Sequence, residues 1–169
     1  MATSLPVEVH SRKMRETERI ADQLRRSFHG KSWHGPSVRE VLAGVSAEQA
    51  ATRVIPQAHT IWQIVLHITA WKSIVRARFL GEPGKKISPE EDWPPVGEAS
   101  EQAWASALEM LEQAHRRLEE VIANFTDEKL DEPVAAGSPT AYILLHGIIQ
   151  HDLYHAGQIA LLKKQAGAA

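Results

Sequence analysis

Histidines are the residues of this chain best suited to chemistry. There are nine of them and no cysteine. A transition-metal site must therefore be built from imidazole with oxygen donors. Disulfides, thiolate zinc sites and cysteine nucleophiles are excluded. His151 and His155 stand four residues apart in a segment that reads as helix. At about 100° per residue, His155 falls about 40° from His151. Leu144, Ile148, Ile159 and Leu162 fall within about 80° on the same side. Both rings therefore sit in an apolar stripe, one above the other. His67 does the same in an earlier helix, with Thr60, Ile64, Ile68, Trp71 and Val75 within about 100° of it.

A buried imidazole needs a partner for each ring nitrogen. One such residue is ordinarily a satisfied core histidine. Three on facing stripes point to a divalent ion held by His67, His151 and His155. Three histidines leave a coordination position open, the pattern of catalytic rather than structural zinc. Asp152 follows the first histidine of the His151/His155 pair. That matches the zincin spacing with aspartate in place of glutamate. Asp152 is thus a candidate general base, against the plainer reading of a surface carboxylate or one that orients a ligand.

The other histidines fit this site less well. His59 lies about 12 Å along the helix axis from His67. His146 points away from His151. His115 occupies a core seam, as a partly buried core histidine or a further ligand. His10, His29 and His34 read as surface residues. A di-iron carboxylate site needs Glu-x-x-His on two helices. Glu112 and His115 make one such pair, but the last helix has no glutamate.

The elements that carry these residues are all helical; no alternating strand segment of useful length is present. A first long helix is expected from about residue 8 to 28, stopped by Gly30. Ser37 with Glu40, and Ser46 with Gln49, predict two short capped helices. A second long helix is expected over 57–80, then a proline-rich linker over 81–97. A third is expected over 98–125, where Trp104, Leu108, Leu111, His115, Leu118, Ile122 and Phe125 step by alternating fours and threes. Ser138-Pro139 predicts the cap and first residue of a fourth long helix ending near Lys164. The expected fold is an all-α four-helix bundle, a single domain over 1–169, with extra short helices between the first and second long ones.

Composition fits that reading. The chain has 169 residues, 43% of them hydrophobic and 24% charged, with net charge −2. The near-balance argues against a nucleic-acid binder driven by bulk electrostatics. Residues 11–28 carry six basic and three acidic side chains, and residues 98–132 three basic and ten acidic. Two solvated faces that attract one another are expected from this. No apolar run is long enough to span a membrane. Met1 to His10 lacks a cationic lead followed by an apolar run, so a cytoplasmic protein is expected. There is no Gly-rich phosphate loop and no nucleophile elbow.

The segment His59-Thr-Ile-Trp-Gln-Ile-Val-Leu-His67-Ile-Thr-Ala-Trp71 resembles the second-helix signature of the DinB-like (YfiT-like) metal-dependent hydrolase family. Leu145-His-Gly-Ile-Ile-Gln-His151-Asp-Leu-Tyr-His155-Ala-Gly-Gln158-Ile159 resembles its C-terminal signature. Ser32-Trp33-His34-Gly35-Pro36-Ser37 and Asp92-Trp93-Pro94 resemble one branch of it. The resemblance implies a four-helix bundle with zinc or nickel held at His67, His151 and His155, and often a homodimer. It also implies relatives that use the metal to activate a low-molecular-weight thiol.

Three functions are therefore expected to compete. The first is a metal-dependent enzyme that activates such a thiol for S-transfer onto a small-molecule substrate. The second is a hydrolase using metal-activated water, and the third a non-catalytic metal-binding stress-response module. The first two share the open metal position. The weak case for a base tilts the sequence toward thiol transfer. The last helix is also apolar at Tyr142, Ile149, Leu153, Ala156 and Ala160, opposite the ligands. Either residues 31–56, with Trp33, cover that face, or a twofold copy does.

Overall fold

The computed structural model describes residues 13–167. They form an all-α bundle: α1 Glu16–His29, α2 Val38–Leu42, α3 Ala47–Ala51, α4 Ile61–Phe79, α5 Pro89–Asp92, α6 Glu101–Ala123 and α7 Ala141–Ala166, with a 3-10 turn Asp127–Lys129. Helices α1, α4, α6 and α7 have 14 to 26 residues each. The short helices α2 and α3 fall between α1 and α4, as expected. No helix among the described residues is long and apolar enough to cross a membrane.

Local chemistry explains the helix starts. The Ser37–Glu40 and Ser46–Gln49 boxes both form. Helix α4 starts later than the expected residue 57, because Thr60 and Gln63 make a reciprocal box. Thr60 Oγ1 accepts from Gln63 N at 3.2 Å, and Gln63 Oε1 accepts from Thr60 N at 3.0 Å. Each box satisfies backbone donors that the first turn leaves free.

Two expected starts are corrected by long-range bonds. Residues 8–12 lie outside the described residues, and Lys13–Arg15 are not helical. Helix α1 instead begins where Asp127 caps it from a distant loop. The Asp127 carboxylate accepts from Glu16 N at 2.8 Å and Thr17 N at 3.0 Å. Ser138 is not the cap of α7. The backbone N–H groups of Ala141 and Tyr142 donate to Glu132 O and Leu130 O, both at 2.9 Å. That folds 130–140 back on itself and leaves Thr140 to cap Ile143 N. The expected linker 81–97 also holds a helix. Ser88, Pro89 and Glu91 make a capped first turn of α5.

The core forms two apolar clusters. One joins α2, α3, α4, α6 and the end of α7 around Val38, Trp62, Ile68, Leu111 and Ile159. The other joins α1, α4, α6 and the start of α7 around Leu24, Val75, Leu118 and Leu145. Each fully buried Leu or Ile contributes about 1.5–3 kcal/mol of transfer energy. The α6 seam is buried as its spacing predicts at Trp104, Leu111, His115, Leu118 and Ile122. The basic α1 and the acidic α6 do meet, with Arg25 Nε 3.8 Å from Glu119.

The apolar face of α7 is largely covered within the chain. Ala156 joins the cluster that holds α2, and Ala160 packs against it. Ile149 is buried with α1. Trp33 takes no part in this cover, being 101% exposed.

Candidate metal centre

Helices α4 and α7 pack side by side with His67 opposite His151 and His155. Ring centroids lie 4.9 Å apart for His67–His151, 4.8 Å for His67–His155 and 4.4 Å for His151–His155. One ring nitrogen from each lies within 4.8 Å of the others. His67 Nε2 and His151 Nε2 are 3.0 Å apart. His67 and His155 are buried, and His151 is half-buried.

Hydrogen bonds fix which nitrogen faces inward. The Asp92 carbonyl can only accept, so His67 Nδ1–H donates to it, at 2.6 Å. His155 Nδ1–H donates to Gln158 Oε1 one turn along α7, also at 2.6 Å. Both rings therefore turn Nε2 toward the shared point, with the lone pair free. His151 Nδ1 is buried without a partner, and its ring packs against Trp71 and His155. Burial lowers all three basicities. His151 is held down to about 3, helped by His155 and His67. His155 is held down to about 4, although Gln158 opposes the shift. His67 is lowered mainly by burial, against the pull of Asp92. Neutral imidazole is the form that ligates a metal.

The donor set fits a divalent ion. Metal–nitrogen bonds of about 2.0–2.1 Å in tetrahedral geometry put the ligand atoms about 3.4 Å apart. One nitrogen pair lies at 3.0 Å and none beyond 4.8 Å, a range that includes that spacing.

Other groups hold the triad in place. Trp93 stacks on His67 at 3.8 Å and on His59 at 3.5 Å, nearly parallel to both. It is thus sandwiched between them. His59 therefore serves the site as a stacking partner, not as a ligand. The Asp92 carboxylate accepts from Trp71 Nε1 at 2.7 Å. One short helix thereby orients His67 through its backbone and Trp71 through its side chain. A cavity of about 570 Å³ opens over the triad, lined by Trp71, Val75, Ile143, Ile148 and Tyr154 among others. No lysine or arginine among the described residues lines it.

Asp152 is not a surface carboxylate. It is 0% exposed and bonds Lys72 Nζ at 2.6 Å and Ser27 Oγ at 3.3 Å. Burial pushes its carboxyl up, and Lys72 pulls it back. Its charge is thus committed to Lys72, which is itself fully buried. His115 is fully buried against Phe28 and lies outside the triad. His146 packs on Tyr142. His34 is exposed, whereas His29 is only half-exposed and meets His115. His10 lies outside the described residues.

Lys72 and Asp92 escaped a reading based on helical stripes, which did place Trp71 beside His67. Lys72 lies about 140° from His67, a direction in which lysine reads as solvent-facing. The Asp92-Trp93-Pro94 segment was visible only as a resemblance.

Residues 32–159 match the DinB superfamily. The chain belongs to the DinB superfamily. The matched stretch runs from the loop before α2 into α7 and includes all three histidines. No curated protein and no solved structure matches the chain. For this DinB superfamily member the histidine cluster provides a divalent metal-binding capacity.

Proposed function

We propose that this protein is a metal-dependent enzyme in which His67, His151 and His155 hold zinc or nickel and a low-molecular-weight thiol is activated for S-transfer. A bound divalent ion would supply Lewis acidity, stabilising the thiolate over the thiol. The reaction moves the thiol proton to solvent. Sulfur bonds an electrophilic carbon, and either chloride leaves or an epoxide C–O bond opens and its oxygen takes a proton from solvent.

The observation that carries this reading is that the carboxylates beside the triad, Asp92 and Asp152, already accept hydrogen bonds from the protein. Asp92 is engaged by Trp71, and Asp152 by Lys72 and Ser27. Hydrolysis is served by a positioned base; a thiol, far more acidic than water, would be ionised by a bound ion without one. The apolar cavity suits an uncharged aromatic or epoxide electrophile. Arg78, whose guanidinium lies 6.0 Å from the Trp71 ring, offers a cation beside the cavity wall for an anionic part of the thiol.

The test is a paired screen of the zinc- and nickel-loaded protein. One arm offers glutathione, bacillithiol or mycothiol with a chlorinated aromatic or an epoxide. The other offers esters, amides and lactones without thiol. Thiol-dependent turnover is expected. Thiol-independent turnover overturns the reading in favour of a hydrolase. No turnover in either arm favours a non-catalytic module.

The finer organisation belongs to the same proposal. It is a single YfiT-like four-helix-bundle domain over 1–169, cytoplasmic, acting on a small molecule and binding neither nucleic acid nor membrane. It forms a homodimer.

A further inference from the structure

We propose that His29, His115 and Glu119 form a second divalent-cation site, between the C-terminal end of α1 and the middle of α6. His115 and Glu119 stand one turn apart on α6, with Nε2 and Oε1 separated by 3.6 Å. His29 is the last residue of α1, and its ring meets that of His115 edge-on at 5.0 Å. One donor atom from each residue lies within 4.8 Å of the other two.

His115 is the independent reason to expect a ligand there. It is 0% exposed, and neither ring nitrogen has a hydrogen-bond partner. Buried polar atoms are nearly always paired, and an orphan calls for an explanation. Phe28 stacks on the ring at 3.9 Å, 11° from parallel, which fixes its plane. Burial holds the imidazole neutral, with a pKa lowered to about 2, so a lone pair is available. Glu119 and His29 are only half-buried, which leaves the site open to solution on one side.

The surrounding charges permit a cation. Arg25 Nε lies 3.8 Å from Glu119, but Arg25 is also paired with Asp22 at 3.3 Å. Lys72 faces the Phe28 ring, with Nζ 5.1 Å from its centroid. Its charge is neutralised by Asp152 at 2.6 Å. Glu119 therefore supplies the negative charge the ion needs. Two imidazoles and one carboxylate suit zinc and similar borderline ions rather than calcium or magnesium. The Glu112–His115 pair noted in the sequence does not contribute, since Glu112 faces Arg39 at 3.5 Å. The ion would tie the end of α1 to α6.

Zinc stoichiometry tests this on the full chain. The protein is stripped with chelator, dialysed against micromolar zinc and assayed for bound metal. Two ions per chain are expected in the wild type and one in a His29→Ala, Glu119→Gln double variant. That variant leaves buried His115 in place, and its far-UV helicity should be unchanged. One ion is also expected in a His67→Ala, His151→Ala variant. The proposal is overturned if His29→Ala, Glu119→Gln binds as much zinc as the wild type. It is equally overturned if His67→Ala, His151→Ala binds none. Failure of the α4–α7 site reads differently: His67→Ala, His151→Ala would then keep the full wild-type content.

Discussion

Replacing Lys72 with methionine tests the buried pair that ties α4 to α7. Lys72 and Asp152 are both 0% exposed and meet at 2.6 Å. Methionine keeps most of the side-chain volume and removes the charge. Asp152 is then left with Ser27 as its remaining partner, and its Oδ1 already has none. Removing one partner of a buried pair costs about 3–5 kcal/mol. That is a large share of a domain stability of about 5–15 kcal/mol. A Lys72→Met, Asp152→Leu double variant removes both charges and should recover most of the loss, because a well-packed apolar pair is often neutral or better. The single variant should also carry a pH signature. Burial raises the Asp152 carboxyl, so the folded state holds that proton more tightly than the unfolded one. Its stability contribution is full below about pH 4, the unfolded value, and is lost as pH rises through the folded value. The deficit of Lys72→Met against wild type should therefore shrink toward pH 4. Urea unfolding of the metal-free proteins, followed by far-UV circular dichroism between pH 4 and 8, measures all three. A single-variant cost below about 1 kcal/mol at pH 7 would refute the reasoning. A double variant that loses as much stability as Lys72→Met alone would refute it too.

Gln158→Leu removes the acceptor that fixes the His155 tautomer. Zinc affinity should fall about 10- to 100-fold in competition with a chelator, with helicity unchanged. His115→Phe should flatten the acid side of the stability curve of the metal-free protein. The wild-type imidazole is held down to about 2, so only the unfolded chain takes up its proton below about pH 6.5. That stability is full above this pH and falls by about 1.4 kcal/mol per unit below it. The variant should lose less than wild type by about 3 kcal/mol between pH 6 and 4. Parallel curves in urea titrations would count against a neutral buried His115.

The histidine triad was legible because helical periodicity survives packing. His67, His151 and His155 lie on the apolar stripes of α4 and α7, and a stripe in a bundle has only one direction to face. The short capping boxes were legible for a similar reason, since each closes within four residues. What escaped depends on residues far apart in the chain. The start of α7 is set by carbonyls of Leu130 and Glu132, and that of α1 by Asp127. The Lys72–Asp152 pair joins positions 80 apart, and a lysine off the stripe carries no local sign of burial. Asp92 and Trp93 lie in a proline-rich segment without periodicity. Their role appears only when α5 is laid against α4.

The central claim is that α4 and α7 hold an ion through His67, His151 and His155. Anomalous diffraction at the zinc edge, from crystals of zinc-loaded protein, tests it most directly. The account predicts a peak about 2.0–2.1 Å from one nitrogen of each of the three rings. Crystals of protein shown to contain zinc, with no anomalous peak between these rings, would contradict it.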